Sequence, residues 1–360
     1  MAAPVRIGVI GCGAIAQVHH LPNLSMLRDE FEIAAVCDIS DSLAKQIAAE
    51  YNVPNHFTDY RDLLACDLDA TLLCASDPKT AFGVASFEAG KHTFIEKPLC
   101  FTLEDADRLI EANQAAAKVG QVGYMKVFDP AFELVEREVQ AMEGGIRYIQ
   151  VNHLHTNNSH HLSHFRIVRG GPPSVAPAAP GAAAEKSGAV LALGDIPPEV
   201  ERVYSILSGS LIHDLYGLRH LFGDPLRVVS TEIWNEGFGV TSIFEYDNGA
   251  RCVVTWVELP HIRVFKETLE ISGDDRRISL SYPTGFARGI LSQVKIEGVD
   301  GQGRPFVQEP SIEWESAFVR ELRHFHSCIV DGVPCRTPLT AARRDVALIG
   351  DICRRYLERN

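Results

Sequence analysis

The stretch that decides the fold is Val5-Arg6-Ile7-Gly8-Val9-Ile10-Gly11-Cys12-Gly13-Ala14-Ile15-Ala16, close to the start of the chain. It begins with an apolar, β-branched run that predicts a buried strand. Small residues follow at the spacing Gly-x-Gly-x-x-Ala, where Gly11 permits a tight turn, Gly13 leaves room beside the backbone, and Ala16 lets a helix pack closely. The stretch therefore predicts a strand, a turn and a helix in direct succession.

A turn of this kind is typical of dinucleotide-binding folds. The free N–H groups and the positive dipole end of the following helix attract a pyrophosphate. An acidic residue is expected at the end of the next strand, and Asp38 closes the apolar run at residues 31–37. We expect Asp38 to bind the adenosine ribose and to repel the 2′-phosphate of NADP. Residues 39–42 contain no Arg that could hold that phosphate, so the sequence predicts NAD in preference to NADP.

Apolar strands and helices keep alternating along the first third of the chain. Further strands are predicted at residues 69–75, 92–95 and 121–124, with helical segments between them. Strands that are apolar throughout and separated by helices indicate a parallel sheet covered on both faces. We therefore expect a doubly wound α/β domain over residues 1–125.

The remainder of the chain has a different character. Its strands are closely spaced, and Gly or Asp-Asn-Gly turns separate several of them, which predicts hairpins in a mainly antiparallel open sheet. We expect an α+β domain over residues 126–360. Residues 170–188 are rich in Gly, Pro and Ala and lack periodicity, which predicts a flexible surface insertion, with a lid or an oligomer arm as the alternative.

Composition excludes several classes of protein. The 360 residues carry 34 Lys and Arg against 47 Asp and Glu, a net charge of −13. This balance argues against a nucleic-acid-binding face and a polybasic membrane anchor. No apolar run reaches the roughly 18 residues of a spanning helix, and no signal peptide is recognised, so we expect a cytoplasmic protein. The nine cysteines form no CxxC pair, and most are expected to be buried, reduced and inert.

Three further motifs carry a resemblance to a known family. Residues 89–98 read AGKHTFIEKP, residues 122–130 read VGYMKVFDP, and His213-Asp214 opens a mid-chain helix. With these motifs the chain resembles the glucose-fructose oxidoreductase / inositol dehydrogenase / rhizopine catabolism (Gfo/Idh/MocA) family over nearly its whole length. The resemblance implies an N-terminal Rossmann domain and an NAD(P)-dependent oxidoreductase acting on the CH–OH group of a sugar, glycoside or cyclitol. It also implies a homodimer or homotetramer formed through the open sheet of the substrate-binding second domain.

The resemblance also points to catalytic residues. The family's lysine falls on Lys97, at the carboxyl end of a strand, where doubly wound sheets bind ligands. The family's histidine falls on His213, and Gly209 replaces the aspartate commonly found four residues before it. The family pattern therefore leaves Lys97 and His213 to handle the hydroxyl proton.

The remaining predicted site residues lie in the glycine-rich turn, at strand ends or in the second domain. The residues predicted to bind the cofactor are Gly11, Gly13, Ala14, Ile15, Ala16, Asp38, Ser76, Glu96 and Lys97. The residues predicted to bind the substrate are Lys97, Tyr124, Lys126, His153, His155, His213 and Asp214. Thr80 and Val127 replace a His and a basic residue that are frequent in relatives, which predicts an unusual substrate pocket.

Alternatives remain open at the level of the sequence. Residues 153–164 contain five histidines, which could contact substrate, form a polar loop or hold a metal; no metal is predicted, because no Cys accompanies them and the resemblance implies none. The missing aspartate also allows a non-catalytic protein that binds NAD or a sugar as a sensor or scaffold. A reductase of imines or double bonds on the same fold is the third reading.

Overall fold

The computed structural model describes residues 3–76, 78–172, 174 and 187–359. The chain folds into two compact units, each assembled from separate stretches of sequence. The first unit consists of Met1–Tyr124, Phe165–Ala192 and Phe318–Val346. The second unit consists of Met125–His164, Leu193–Ala317 and Ala347–Asn360. The assignment of NAD to residues 1–125 and of substrate to residues 126–360 remains a prediction.

The first unit is built on a parallel sheet, as the alternation of strands and helices predicted. Its strands are β1 Val5–Ile10, β2 Phe31–Cys37, β3 Asn55–Phe57, β4 Ala70–Leu73, β5 His92–Glu96 and β6 Gly120–Gly123. They lie in the order β3-β2-β1-β4-β5-β6, and neighbouring strands are parallel. The strand order reverses between β1 and β4, and doubly wound sheets bind ligands at the carboxyl ends of strands beside such a switch point.

Helices connect the strands of this sheet. They are α1 Leu21–Met26, α2 Asp41–Tyr51, α3 Tyr60–Leu64, α4 Thr80–Glu88 and α5 Leu103–Ala116. Ile7, Val9 and Leu72 on the central strands are all fully buried, because the sheet has apolar side chains on both faces. The helix starts are fixed locally: the side chains of Asp59 and Thr102 accept backbone N–H groups in the first turns of α3 and α5.

The second unit is built on a mainly antiparallel sheet, which confirms the predicted change of architecture. Its strands are β7 Ile146–His155, β8 Arg227–Trp234, β9 Gly239–Glu245, β10 Arg251–Glu258, β11 Lys266–Gly273, β12 Arg276–Tyr282, β13 Gln293–Val299 and β14 Pro305–Gln308. They lie in the order β14-β13-β12-β11-β7-β10-β9-β8. The pair β7 and β10 is parallel, and the other neighbours are antiparallel.

One face of this sheet is buried and the other is half-exposed. Along β10 the side chains of Cys252, Val254 and Trp256 are buried, whereas Val253 and Thr255 between them are half-exposed. The helices that follow β6 in the chain are α6 Pro130–Gln140, α7 Asn158–Leu162, α8 Gly188–Leu193, α9 Pro198–Ile206, α10 Ile212–Phe222, α11 Ala317–Val330 and α12 Leu339–Leu357. Of the helices in the described ranges, none is both long enough and apolar enough to cross a membrane.

Substitution of the two glycines of the first turn should affect stability to very different extents. Gly11 has φ +94°, and a Cβ there would lie 2.3 Å from the backbone nitrogen of Ala75, whereas a Cβ at Gly13 would meet nothing within 4 Å. Gly11→Ala should therefore lower the free energy of unfolding by roughly 2 kcal/mol or more. Gly13→Ala should change it by less than about 0.5 kcal/mol. Chemical denaturation of both variants measures the difference, and equal losses would contradict the tight turn described here.

Candidate active site

The glycine-rich turn leaves β1 beside the chain that leaves β4. Helical backbone begins at Ala14, and a π-helical turn over Ala16–His20 leads into α1. Ala16 is fully buried, whereas Gly13 is exposed and has open space where a side chain would project. A phosphate can therefore approach the backbone at Gly13, which is the arrangement that the sequence predicted for a dinucleotide.

Asp38 is bonded to the same turn. Its Oδ2 accepts the N–H of Cys12 at 3.0 Å, and its Oδ1 accepts the N–H of Ser40 at 3.0 Å. The carboxylate thus links the glycine-rich turn to the end of β2 and the start of α2. Each carboxylate oxygen has a further acceptor position that a ribose hydroxyl can use. Ser76, the other strand-end residue predicted here, is exposed just after β4.

The beginning of the predicted insertion lies against this turn. The side-chain amide of Gln17 donates to the carbonyl of Val168 at 2.9 Å and accepts its N–H at 2.8 Å. Gly171 donates its N–H to Ser42 Oγ at 3.0 Å, and Ser174 donates its N–H to the Ile39 carbonyl at 2.7 Å. Residues 173 and 175–186 lie outside the described residues, so the linker and lid alternatives stay predictions.

Glu96 fixes the end of β5, where Lys97 follows. One carboxylate oxygen lies 2.6 Å from His20 Nε2, and the other accepts the N–H of Lys97 at 3.0 Å. Burial alone would raise the pKa of Glu96, but the hydrogen bond and charge of His20, with the charges of Lys97 and Lys79, lower it below its ordinary value. Glu96 is therefore ionised and holds the backbone at Lys97, whose side chain is half-buried. The peptide bond between Lys97 and Pro98 is cis.

Three buried ionisable residues near Glu96 were not predicted from the sequence. His20 is fully buried and Lys79 is 2% exposed. Glu321 on α11 is also fully buried, and its burial, followed by the charge of Glu96, raises its pKa well above the ordinary value. Burial therefore favours the protonated, neutral form of Glu321. Residue type and periodicity gave no signal for this group, because its members come from distant parts of the chain.

In the second unit, His213 is oriented by a tyrosine. His213 lies in the first turn of α10, and its Nδ1 is 3.0 Å from the hydroxyl of Tyr216. That hydroxyl also accepts the backbone N–H of Lys126 at 3.0 Å. The tyrosine hydroxyl therefore joins the imidazole of His213 to the backbone at Lys126. His213 is half-buried.

Tyr216 connects this histidine to a buried cluster of charged residues. It contains Lys126, His153, Asp214 and Glu267, none more than 5% exposed. Lys126 forms an ion pair with Glu267, and its ammonium lies 4.2 Å from the ring centre of Tyr282. His153 Nδ1 is 3.0 Å from Asp214 Oδ2 and 3.5 Å from Glu267 Oε1. Within this cluster, Lys126 is therefore paired with Glu267, and His153 is paired with Asp214.

The second nitrogen of His153 continues this network toward half-buried side chains. It lies 3.2 Å from Ser210 Oγ and 3.3 Å from His155 Nδ1, and Trp256 donates its indole N–H to Ser210 at 3.0 Å. The His155 ring stacks on Trp256 with centres 5.3 Å apart. Burial, followed by the charges of His153 and His161, lowers the pKa of His155 to about 4, so its imidazole is neutral at pH 7.

The structure brings several of the predicted substrate residues together within the second unit. His153, His155, Asp214 and Lys126 share one network in the second unit, and Tyr216 links it to His213. Tyr124 belongs to the first unit and is 1% exposed. Sequence reasoning missed Glu267, Tyr216, Ser210 and Trp256.

A cation could use part of the charged cluster. His153, Asp214 and Glu267 offer a nitrogen and two carboxylate oxygens within 4.8 Å of one another. However, the Glu267 carboxylate already forms an ion pair with the ammonium of Lys126. The expected absence of a metal remains a prediction.

Comparison with known proteins identifies the first unit's family. Residues 5–124 match the GFO_IDH_MocA family, described as an oxidoreductase family with an NAD-binding Rossmann fold. The matched stretch is one third of the chain, and over it the chain is similar to this family. The match confirms the family that the AGKH…EKP motif predicted, and it agrees with the position of the Gly11–Ala16 turn after β1.

A curated relative aligns with the same part of the chain. The inositol 2-dehydrogenase/D-chiro-inositol 3-dehydrogenase of Shouchella clausii is 38% identical over 132 residues. The alignment covers 36% of this chain and 38% of that enzyme, so it spans less than half the length of the curated relative.

Solved structures match the chain along its whole length. UDP-N-acetylglucosamine 3-dehydrogenase from Acidithiobacillus ferrooxidans is 22% identical with a TM-score of 0.72, covering 99% of this chain and 98% of that one. Levoglucosan dehydrogenase in complex with NADH is 17% identical with a TM-score of 0.77, covering 99% and 97%. At these identities the likeness shows the shared fold.

Replacing Glu321 by glutamine should stabilise the folded protein by an amount that depends on pH. Its pKa is raised in the folded protein, so only the unfolded chain loses the proton as the pH rises above the ordinary value of 4.5, and stability falls. Glu321→Gln has no proton to lose and should be more stable than the wild type at about pH 8, with the gain shrinking toward about pH 4.5. Thermal unfolding across this range measures the gain. Glu111→Gln, at an exposed position on α5, is the control, and a pH-independent gain for Glu321→Gln would contradict the neutral acid.

Proposed function

We propose that the protein is an NAD-dependent dehydrogenase that oxidises a secondary hydroxyl of a sugar, glycoside or cyclitol to a ketone, or catalyses the reverse reduction. The observation that supports this proposal most directly is the hydrogen bond from the Cys12 N–H to Asp38. It holds an acidic group beside an open glycine turn at the switch point of a doubly wound sheet. The family is described as NAD-binding, and the curated relative acts on inositols by its name, which supports the proposal.

Bound NAD would supply the hydride acceptor. The chain's own contribution starts at Gly13, whose exposed backbone receives the pyrophosphate at the start of a helix. Asp38 takes the hydroxyls of the adenosine ribose, and its charge disfavours a 2′-phosphate at the same place. Residues 39–42 offer no Arg to compensate, so NAD is preferred over NADP.

Lys97 is proposed as the group that exchanges the hydroxyl proton. A neutral amine accepts the proton during oxidation, and an ammonium returns it during reduction. The ionised carboxylate of Glu96 holds the Lys97 backbone, which keeps the amine in place without using the amine itself for that contact. Glu96 is therefore a positioning residue in this proposal.

His213 is proposed as the second proton-handling residue. The Tyr216 hydroxyl lies 3.0 Å from its Nδ1 and orients the imidazole that is proposed to meet a substrate hydroxyl. Lys126, His153 and Asp214 are proposed to support substrate binding from the buried cluster, and His155 to contact the substrate as a neutral imidazole. We also propose a homodimer or homotetramer, formed through the half-exposed face of the second unit's sheet.

Gly209 favours one other function. The family's usual aspartate is missing there, which suits a protein that binds NAD or a sugar without turning it over. A spectrophotometric screen for NADH formation over polyols, cyclitols and glycosides separates the two. Reduction of NAD by any of these alcohols supports the dehydrogenase, and NAD binding without reduction across the panel supports the sensor or an imine or double-bond reductase.

The cofactor preference is tested by calorimetric titration. NAD should bind at least tenfold more tightly than NADP, a difference of about 1.4 kcal/mol. Asp38→Asn removes the charge and keeps the shape, so the preference should shrink toward equality. Equal affinities of the wild type for the two cofactors would contradict the role given to Asp38.

The proton-transfer role is tested with Lys97→Met. Methionine keeps much of the stem and cannot accept a proton, so turnover should fall by about 10²–10⁴. The Kd for NAD should stay within about threefold of the wild-type value, because the phosphate and ribose contacts are untouched. Lys45→Met, on the exposed face of α2, is the matched control and should retain full turnover. Near-normal turnover in Lys97→Met would overturn the assignment.

A further inference from the structure

Two cysteines and a histidine meet at the end of α11. His324 and Cys328 are four residues apart, so they lie on the same face of the helix. Cys335 follows in the loop between α11 and α12. Their reactive atoms, one imidazole nitrogen and two sulfurs, all lie within 4.8 Å of one another.

The loop that carries Cys335 is anchored to the sheet of the first unit. Val122 on β6 donates its N–H to the Thr337 carbonyl at 2.9 Å, and the Thr337 hydroxyl donates to the Val122 carbonyl at 2.8 Å. Cys335 Sγ lies 3.9 Å from Gln121 Oε1 on the same strand. Residues 331–334 are exposed, and Gly332 has φ +69°. The sulfur is thus held near Cys328, while the exposed part of the loop can adjust.

The surroundings of Cys328 favour its thiolate. Cys328 Sγ lies 3.3 Å from His324 Nε2, but that nitrogen accepts the N–H of Arg336 at 2.9 Å, so the second thiol is the donor that favours the thiolate. A hydrogen bond from the Cys335 thiol is the largest influence and lowers the pKa of Cys328, and burial opposes it. The pKa of Cys335 is raised for the same reason, since its proton is shared with Cys328.

Other cysteines lie in different surroundings. Burial raises the pKa values of Cys12, Cys37, Cys74, Cys252 and Cys353. Cys66 is half-buried, and its thiol lies 3.7 Å from the Asp62 carbonyl. The pair at the end of α11 therefore combines a second thiol, an imidazole and a partly exposed loop.

We propose that Cys328 and Cys335 are a peroxide-sensitive thiol pair that closes to an intramolecular disulfide. The Cys328 thiolate attacks one oxygen of hydrogen peroxide, the O–O bond breaks, and hydroxide leaves and takes up a proton as water. The sulfenic acid of Cys328 is then attacked by the Cys335 sulfur, which loses its proton as the S–S bond forms and a second water departs. Two thiols and one peroxide become one disulfide and two waters.

A bound cation is the competing reading of the same residues. Two sulfurs and an imidazole are donors that zinc accepts, but structural zinc sites use four protein ligands. The lone pair of His324 Nε2 is already directed at the Arg336 N–H. The geometry therefore favours the disulfide, and the experiment includes the cation as an outcome.

Mass spectrometry of one peptide tests the proposal. Trypsin cuts after Arg323 and Arg336, so both cysteines lie in the single peptide at residues 324–336. The full-length protein is treated with hydrogen peroxide near pH 7, its free thiols are alkylated, and the digest is examined with and without dithiothreitol. We expect this peptide to be lighter by two hydrogens, to resist alkylation and to recover on reduction.

Single variants separate the steps. In Cys335→Ser the sulfenic acid of Cys328 should persist and be trapped by dimedone, and Cys328→Ser should form no disulfide. Oxidation at Cys328 should be about tenfold faster than at Cys66, because the larger thiolate fraction outweighs the lower nucleophilicity of a low-pKa thiol. Cys66→Ser is the matched control and should leave the disulfide unchanged.

Two results would overturn the proposal. One is a peptide in which both cysteines remain alkylated after peroxide treatment that oxidises Cys66. The other is stoichiometric zinc in the purified protein that is lost in both Cys328→Ser and Cys335→Ser and blocks alkylation until a chelator is added, which would assign the residues to a metal site.

Discussion

The carboxylate of Asp38 makes the contact on which the glycine-rich turn of the first unit depends. It accepts N–H groups from the glycine turn and from the start of α2, so one side chain joins the ends of two neighbouring strands. Hydrogen bonds to a charged acceptor contribute about 1.5–3 kcal/mol each. Gly11 makes the contact geometrically possible, because a side chain there would collide with the backbone at Ala75. The same arrangement that stabilises the turn leaves Gly13 open to a phosphate.

Each unit also holds a buried ionic contact that orients a proposed catalytic residue. In the first unit the pair of His20 and Glu96 fixes the backbone at Lys97, and in the second Tyr216 connects His213 to Lys126, which is paired with Glu267. Buried ion pairs contribute little net stability, since the loss of hydration offsets their attraction, but breaking one partner is costly. Such pairs are consistent with residues that must be held in place.

The sequence predicts local features well and distant contacts poorly. The strand, turn and helix around Gly11 follow from a pattern confined to adjacent residues, and the parallel sheet follows from apolar strands that alternate with helices. By contrast, His20 and Glu96 are 76 residues apart, so their contact leaves no local pattern. In the sequence, Glu267 is one polar residue in an alternating strand, and only the folded structure shows that it pairs with Lys126. The cysteines were expected to be mostly inert, and the proximity of Cys328 to Cys335 emerges only when the loop before α12 folds back on α11. The insertion at 170–188 lies largely outside the described residues.

The most direct test of the dehydrogenase account follows the hydrogen on the carbinol carbon of the substrate. An alcohol that reduces NAD is prepared with deuterium on its carbinol carbon. The reduced cofactor is isolated, and its mass is measured by mass spectrometry. The account predicts that the deuterium arrives on the cofactor, with one deuterium for each ketone formed, and that Lys97→Met slows its arrival without changing its destination. A reduced cofactor that carries hydrogen from solvent instead, or a ketone formed without reduced cofactor, would contradict it.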